Sequence, residues 1–319
     1  MKVSILGPAG SYSEIAAKSL FSTICSSSAP QFLFNSSIEN AVLRLFEEDE
    51  NGLVSNFAVI PVENSIEGAV GVSMDLLLEK DVSIIAEIIL PVSHCLFVSE
   101  KTAQNPNFSP SQIRKIYSHP QGIFQCRSFI RSQLTNAETI ETDSTSKAAQ
   151  IVSASDSDDE ICAAISSNAA GKEYGLHAIQ SDIQCSNNNS TRFVLLVRAD
   201  FLPKIQNSTA NVDFKLLPEY FSQTGSGEVF YKTSLAITPK HDRPGALFQI
   251  LDAFYKYQIN LTRIESRPSK KALGEYFFYI DFEGNPSDSN CGDAFSLVLE
   301  RSANVKILGT YGRILPNRQ

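Results

Sequence analysis

No two of the chain's six cysteines stand in a C-x-x-C arrangement, and its four histidines include no H-E-x-x-H. Cys25, Cys95, Cys126, Cys162, Cys185 and Cys291 are scattered, as are His94, His119, His177 and His241. Neither a zinc site nor a disulfide framework is expected; buried thiols in a reducing compartment are. A basic stripe is also missing: the formal net charge is -8 and the pI about 5.1. Nucleic acid is therefore not an expected partner, and an anionic ligand must be held locally by a few arginine, hydroxyl and backbone N–H groups. No apolar run approaches the roughly 20 residues of a membrane span, and the first residues carry no charged region with a cleavage site. The expectation is a soluble, cytoplasmic protein without a metal.

What is present is a 43% hydrophobic content over 319 residues, enough for about two ordinary domains. Residues 2–6 read as a strand that enters Gly7-Pro8-Ala9-Gly10-Ser11, after which Ile15, Ala16, Ala17 and Leu20 recur at helical spacing. Ser11 and Glu14 have capping-box spacing. Strand, small-residue turn and helix start form a setting that favours an anion, but the spacing matches neither G-x-G-x-x-G nor the Walker pattern, which disfavours nucleotides. A helix over 37–50 and a buried strand over 57–62 follow, then a short helix at 74–78 and strands over 82–90, 93–98 and 113–117. Asp143-Ser144-Thr145 caps a further helix, 161–165 reads as a strand, and Ser166-Ser167-Asn168 opens the next helix. Strands and helices in alternation predict an α/β architecture with largely parallel sheets.

Periodicity lapses over 201–230, which contains Pro203, Pro218, Gly225 and Gly227 and is read as a linker. Beyond it, strand 232–238, a helix with Leu247, Ile250, Leu251 and Phe254 on one face, strands 259–265 and 275–282, a helix over 293–302 and strand 305–311 give the order βαββαβ. That is a ferredoxin-like arrangement, a frequent small-ligand module.

Polar residues gather at five strand ends, where ligands of α/β folds sit. They are the Gly7 to Ser11 turn, Glu63-Asn64-Ser65, Ser118-His119-Pro120-Gln121, Asp143-Ser144-Thr145, and Asn189-Ser190-Thr191-Arg192-Phe193 before the apolar run Val194-Leu195-Leu196-Val197. Taken alone, the last is a polar loop with a surface arginine; in company it is a candidate anion site, since a guanidinium holds a carboxylate with two hydrogen bonds. Ser118 is placed to cap the following helix, with Gln125 one turn in. His119, followed by proline at a turn and without an orienting carboxylate, reads as a structural residue.

Six motifs, in order, resemble the signature of the prephenate dehydratases: Gly7-Pro8-Ala9-Gly10-Ser11-Tyr12-Ser13, Glu63-Asn64-Ser65 with Glu67-Gly68, Ser118-His119-Pro120-Gln121, Thr191-Arg192-Phe193, and two that are similar to the phenylalanine-binding motifs of the family's ACT regulatory domain, Pro244-Gly245-Ala246-Leu247 and Glu265-Ser266-Arg267-Pro268. The resemblance implies a catalytic region of two α/β lobes like a periplasmic binding protein (1–200), the linker (201–230) and a ferredoxin-like ACT domain (231–316). It implies conversion of prephenate to phenylpyruvate, a step toward phenylalanine, without a cofactor, in a homodimer or homotetramer inhibited by phenylalanine. Its catalytic positions fall on Asn64, Ser118, Gln125 and Thr191. Substrate-binding positions fall on Arg192, Ser11, Ser13, Ser144, Thr145 and Phe193. Arg192 is expected to anchor a carboxylate and Thr191 to hydrogen-bond the departing hydroxyl, with the proton's origin left open.

Two departures from the family pattern stand out: Phe248, where valine is common, and Gly122, where alanine often follows the Ser-His-Pro-Gln stretch. Neither is expected to touch the catalytic groups, and without a mutase-like N-terminal helical extension the chain reads as monofunctional. The rival readings are an arogenate dehydratase, which performs the same chemistry on the amino analogue, and a non-catalytic amino-acid sensor.

Overall fold

The computed structural model describes residues 1–24, 29–47, 54–155, 160–201, 231–241, 243–269 and 275–314; the linker expected over 201–230 lies, from residue 202 on, outside the described residues. Lobe one contains β1 (Lys2–Leu6), α1 (Tyr12–Ile24), β2 (Gln31–Asn35), α2 (Ile38–Leu43), β3 (Phe57–Asn64), the short β4 (Gly68–Ala69), α3 (Gly71–Glu79) and β5 (Val82–Pro91). The chain crosses into lobe two through β6 (Cys95–Ser99) and α4 (Glu100–Gln104), continues with β7 (Lys115–Ser118), α5 (Pro120–Gln125), α6 (Arg127–Gln133), β8 (Glu138–Glu141), α7 (Thr145–Ser153), β9 (Cys162–Ser166), α8 (Asn168–Glu173) and β10 (Leu176–Gln180), and returns to lobe one as β11 (Ser190–Arg198).

Both sheets are mixed rather than largely parallel. β1 pairs in parallel with β2 and β3, and β7 with β8 and β9, as expected of βα units. The strands that carry the chain between lobes run the other way: β11 is antiparallel to β3 and β5, and β6 to β9 and β10. A strand returning from the other lobe enters its sheet from the cleft side, and this reverses its direction. Ser37, Ser144 and Ser167 cap α2, α7 and α8 by accepting from backbone N–H groups of the first turn.

The C-terminal segment is β12 (Tyr231–Pro239), α9 (Ala246–Lys256), β13 (Leu261–Pro268), β14 (Tyr276–Glu283), α10 (Ser289–Arg301) and β15 (Ser302–Ile314), with strand order β13-β14-β12-β15. This is the ferredoxin-like topology expected. One feature was not legible in the sequence: the end of β15 pairs in parallel with β5, Gly312 with Ala86, so the regulatory sheet and the lobe-one sheet are a single ten-stranded sheet. One face of lobe one is covered by α1, packing Ala16, Ala17, Leu20 and Phe21 on Val3, Ile5 and Leu195. The opposite face shares a core with the regulatory segment, where Val194, Leu196 and Leu77 meet Ala236, Tyr279 and Tyr311.

Candidate active site

Thr191 and Asn64 are direct cross-strand partners at the ends of β11 and β3. The Asn64 carboxamide is oriented by the backbone. Its Oδ1 accepts from the N–H groups of Ile66 (3.0 Å) and Glu67 (3.2 Å), an Asx-type turn. Its Nδ2 therefore donates, to Thr191 Oγ1 at 3.0 Å and to Asn189 Oδ1 at 2.9 Å. Asn189 Nδ2 in turn donates to Gln125 Oε1 at 2.8 Å, and the same oxygen lies 2.8 Å from His94 Nε2. Gln125 sits at the end of α5 in lobe two, so the cluster bridges the two lobes. Three of the four expected catalytic residues, Asn64, Gln125 and Thr191, are thereby brought together, and Asn189 and His94 join them.

The fourth, Ser118, is fully buried at the end of β7, where its hydroxyl donates to the Ile165 carbonyl at 2.8 Å. It does not cap α5. That role falls to His119, whose Nδ1 accepts from the Gln121 N–H at 3.3 Å, in agreement with its structural reading. A Cβ on Gly122 would stand 2.5 Å from Ser118 Oγ and 3.4 Å from the Thr145 methyl, so the glycine departure does touch a candidate catalytic group. In the first turn, Ser11 Oγ donates to the Leu6 carbonyl and accepts from the Glu14 N–H, while the Glu14 carboxylate takes the Gly10 N–H at 2.6 Å. Ser13 is buried one residue into α1. Ser144 is spent on capping α7, and the Thr145 carbonyl accepts from Ser166.

Arg192 requires a correction. Neighbouring side chains on a strand point to opposite faces, and Arg192 faces away from Thr191, into the core shared with the regulatory segment. Its Nε meets Glu87 at 2.7 Å, Nη1 meets Asp281 at 2.6 Å, and Nη2 donates to the Tyr311 hydroxyl at 2.6 Å, with Glu63 at 3.4 Å. Lys232 Nζ closes the group onto Glu87 at 3.0 Å. Burial works against the Arg192 charge, but Tyr311, Asp281 and Glu87 hold its pKa well above the ordinary arginine value, and burial likewise drives Tyr311 far up. Phe193, on the cleft-side face, is 2% exposed in the α1 core and is a packing residue rather than a substrate contact.

The sequence offered a signal for this ion cluster that went unread: Glu87 and Asp281 are lone charges inside apolar strands, and charges so placed are paired. His94 carried a weaker one, standing in the polar stretch just past the long strand β5.

In the regulatory segment, Gly245, Ala246, Leu247 and Phe248 line a cleft of about 720 Å³ together with His241 and Tyr276. Pro244 precedes Gly245, whose φ of 84° suits glycine at the start of α9. The second motif does not join them within one chain. On edge strand β13, Glu265 pairs with Arg263, and Arg267 reaches Asp75 of α3 at 3.1 Å, while Ser266 and Pro268 are exposed on the other side. Tyr279 donates to the Met74 carbonyl and Lys306 to those of Leu78 and Lys80, so α3 is held along its length by the regulatory strands. Among the described residues no three His, Cys, Asp or Glu side chains gather as metal ligands would.

Two α/β lobes with polar strand ends meeting between them, continued by a ferredoxin-like module, define a binding-protein-like catalytic region with an appended ACT domain. Residues 3–200 match the family model of prephenate dehydratase and residues 241–290 that of the ACT domain; the chain belongs to the prephenate dehydratase family. It is 38% identical over 280 residues to the prephenate dehydratase of Methanocaldococcus jannaschii, covering 87% of this chain and 86% of that one. It is 33% identical over 315 residues to the bifunctional chorismate mutase/prephenate dehydratase of Aquifex aeolicus, covering 99% and 74% respectively. The crystal structure of the Arthrobacter aurescens prephenate dehydratase in complex with L-Phe superposes with a TM-score of 0.74 at 29% identity, over 98% of this chain and 90% of that one.

Proposed function

We propose that this chain dehydrates and decarboxylates prephenate to phenylpyruvate at the cluster formed by Thr191, Asn64 and Gln125, in a catalytic region of residues 1–200 regulated through residues 231–316. The observation that carries the site is the polarity of the Asn64 carboxamide. Because Thr191 Oγ1 accepts from Asn64, its own hydrogen is left to donate into the cleft. Gln125 Oε1 accepts twice, and its Nε2 has no partner among the described residues, which makes it a second free donor at the same place.

The reaction needs such donors. As the bond from the ring to its carboxylate breaks, the electron pair enters the ring, the double bonds shift, and the C–O bond of the ring hydroxyl breaks. The dianion takes up one proton and yields phenylpyruvate, carbon dioxide and water. Aromatisation supplies much of the driving force, so the protein's task is to stabilise charge growing on the departing oxygen and to fix the carboxylates. Thr191 serves the first. For the second, the groups at hand are Gln125 Nε2, the N-terminal turns of α1 with Ser11 and Ser13, and α7 with Ser144 and Thr145; Arg192 is committed elsewhere.

Phenylalanine is the proposed effector, bound at the cleft beside Gly245 to Leu247 and completed by Glu265 to Pro268 of another copy in a cytoplasmic homodimer or homotetramer. That arrangement fits an edge strand β13 that leaves Ile264 47% exposed. The test is release of phenylpyruvate from prephenate at neutral pH by the purified protein, after subtraction of the spontaneous acid-catalysed reaction. Turnover of arogenate in preference to prephenate moves the substrate to the amino analogue. Turnover of neither leaves a sensor.

A further inference from the structure

The cluster contains a residue that the reaction as derived does not use. His94 lies just after β5, where the chain crosses between lobes, and it is 3% exposed. Its place is fixed on all sides by backbone contacts: its N–H donates to Gln184 Oε1 at 2.9 Å, its carbonyl accepts from Ile183 at 3.0 Å, and the preceding Ser93 is pinned by the Tyr12 hydroxyl. One ring nitrogen, Nε2, touches Gln125 Oε1; the other, Nδ1, is buried with no hydrogen-bond partner among the described residues. A leucine or phenylalanine of similar size would avoid leaving that nitrogen dry. Packing alone does not explain an imidazole here.

Directionality does. Orientation runs outward from the backbone N–H groups of Ile66 and Glu67, which compel Asn64 to present its oxygen to them and both hydrogens to Thr191 and Asn189. Asn189, accepting at Oδ1, must donate from Nδ2; Gln125 must then accept at Oε1. The remaining lone pair of that oxygen faces His94 Nε2, which can only be a donor, so the ring is the Nε2–H tautomer. Burial lowers the pKa of His94 against the opposing effect of its Gln125 hydrogen bond, which keeps the ring neutral. Without His94, the Gln125 carboxamide retains one partner and is free to turn over, which would offer Asn189 an N–H where it needs an acceptor and withdraw Gln125 Nε2 as a donor, while Asn64 and Thr191 stay fixed by the Ile66 and Glu67 N–H groups.

We propose that His94 is a positioning residue for the reaction: as an Nε2–H donor it locks the Gln125 carboxamide, so that Gln125 Nε2 is kept as a donor to the reacting substrate beside Thr191. Asn189 links Asn64 of lobe one to Gln125 of lobe two. The inference rests on the site assigned above to Thr191, Asn64 and Gln125, and it adds that the Gln125 donor is set by a residue at the crossing between the lobes.

Steady-state kinetics of the full chain on prephenate test it. His94→Leu removes the donor at similar volume, and kcat is expected to fall by about tenfold or more with KM changed by less than about threefold. His94→Gln, whose side-chain N–H₂ can reach the position of Nε2, is expected to recover most of that loss, which a purely space-filling role would not predict. Should His94→Leu fail to fold, the comparison is carried by His94→Gln against His94→Glu, which places an acceptor at the same position; the Glu variant is expected to be the poorer in kcat. The ¹⁵N resonances of the His94 ring provide the independent readout, with Nε2 protonated and Nδ1 not. An Nδ1–H tautomer, or a kcat of His94→Leu within about twofold of the unsubstituted protein while Thr191→Ala is inactive, overturns the proposal alone. Full activity in Thr191→Ala overturns the assignment beneath it.

Discussion

Thr191 and Arg192 are adjacent on one strand and serve opposite faces of the sheet: Thr191 Oγ1 lies 3.0 Å from Asn64 Nδ2 on the cleft side, and Arg192 Nη1 lies 2.6 Å from Asp281 Oδ2 in the core shared with the regulatory segment. The strand's alternation joins the proposed catalytic hydroxyl and an interdomain ion cluster within two residues.

The two residues should therefore fail differently. Arg192→Gln strands Asp281, which is 3% exposed, while Glu87 keeps Lys232, and removal of one partner of a buried pair costs about 3–5 kcal/mol. Urea denaturation is expected to show a loss of that order, largely recovered when Asp281→Asn is added, because the second change removes the uncompensated charge. If Arg192 instead held a substrate carboxylate, its replacement would raise KM and leave the denaturation midpoint unmoved.

Thr191→Ala should do the reverse. Only a hydroxyl is removed, at a part-exposed strand end, and the Asn64 amide it leaves behind keeps Asn189 as a partner. Stability is expected to move by less than about 1 kcal/mol, while kcat loses most of its value with a modest change in KM. That is the pattern of an interaction made chiefly in the transition state. A kcat surviving within a few-fold would remove Thr191 from the chemistry.

The sequence placed polar residues at the strand ends and missed what lies across the sheet. Asn64, Gln125 and Thr191 were recognisable because polar residues at strand ends of an α/β fold have few structural uses and these three fall in family motifs. Arg192 was misplaced for a definite reason: a motif gives adjacency in the chain, whereas a strand sends adjacent side chains to opposite faces. The partner that claims Arg192, Asp281, is 89 residues away in the chain, and the pairing of β15 with β5 that brings it near depends on a register no local pattern encodes. Phe193, on the same face as Thr191, was misread for a different reason: it lies one step further along the strand, packed in the α1 core. Ser118 was placed correctly at its strand end, but the cap went to His119 because Pro120 opens the helix one residue later than supposed.

Gly122 gives a local test of the Ser118 environment. A methyl group there would collide with a hydroxyl whose hydrogen bond to Ile165 is fully buried. Gly122→Ala is expected to destabilise the protein by about 1–2 kcal/mol, the cost of displacing that hydroxyl from its acceptor. In a Ser118→Ala background the obstruction is gone, and the same change should be close to neutral or stabilising, since alanine suits a helix better than glycine. Equal penalties in both backgrounds would place the strain elsewhere.

Alkaline pH should destabilise the protein, and the sign follows from the direction of the shifts. Burial pushes the Cys126 thiol up to about 12 from an ordinary 9.0, and the phenols of Tyr12 and Tyr279 up to about 12 from 10.0. In the unfolded chain these groups lose their protons first, so between pH 9 and 12 the folded state binds more protons than the unfolded one, and stability falls as pH rises. The contribution is fully present below pH 9 and is lost progressively through that window. Denaturation midpoints measured from pH 8 to pH 11 should therefore decline, with the slope steepening above pH 10 as the two tyrosines join the cysteine. Tyr279→Phe removes one of the titrating groups along with the hydrogen bond to the Met74 carbonyl. Its midpoint should be lower than that of the unsubstituted protein at pH 8 and converge with it toward pH 11. Parallel curves that never converge would show that Tyr279 ionises no differently in the folded and unfolded chains.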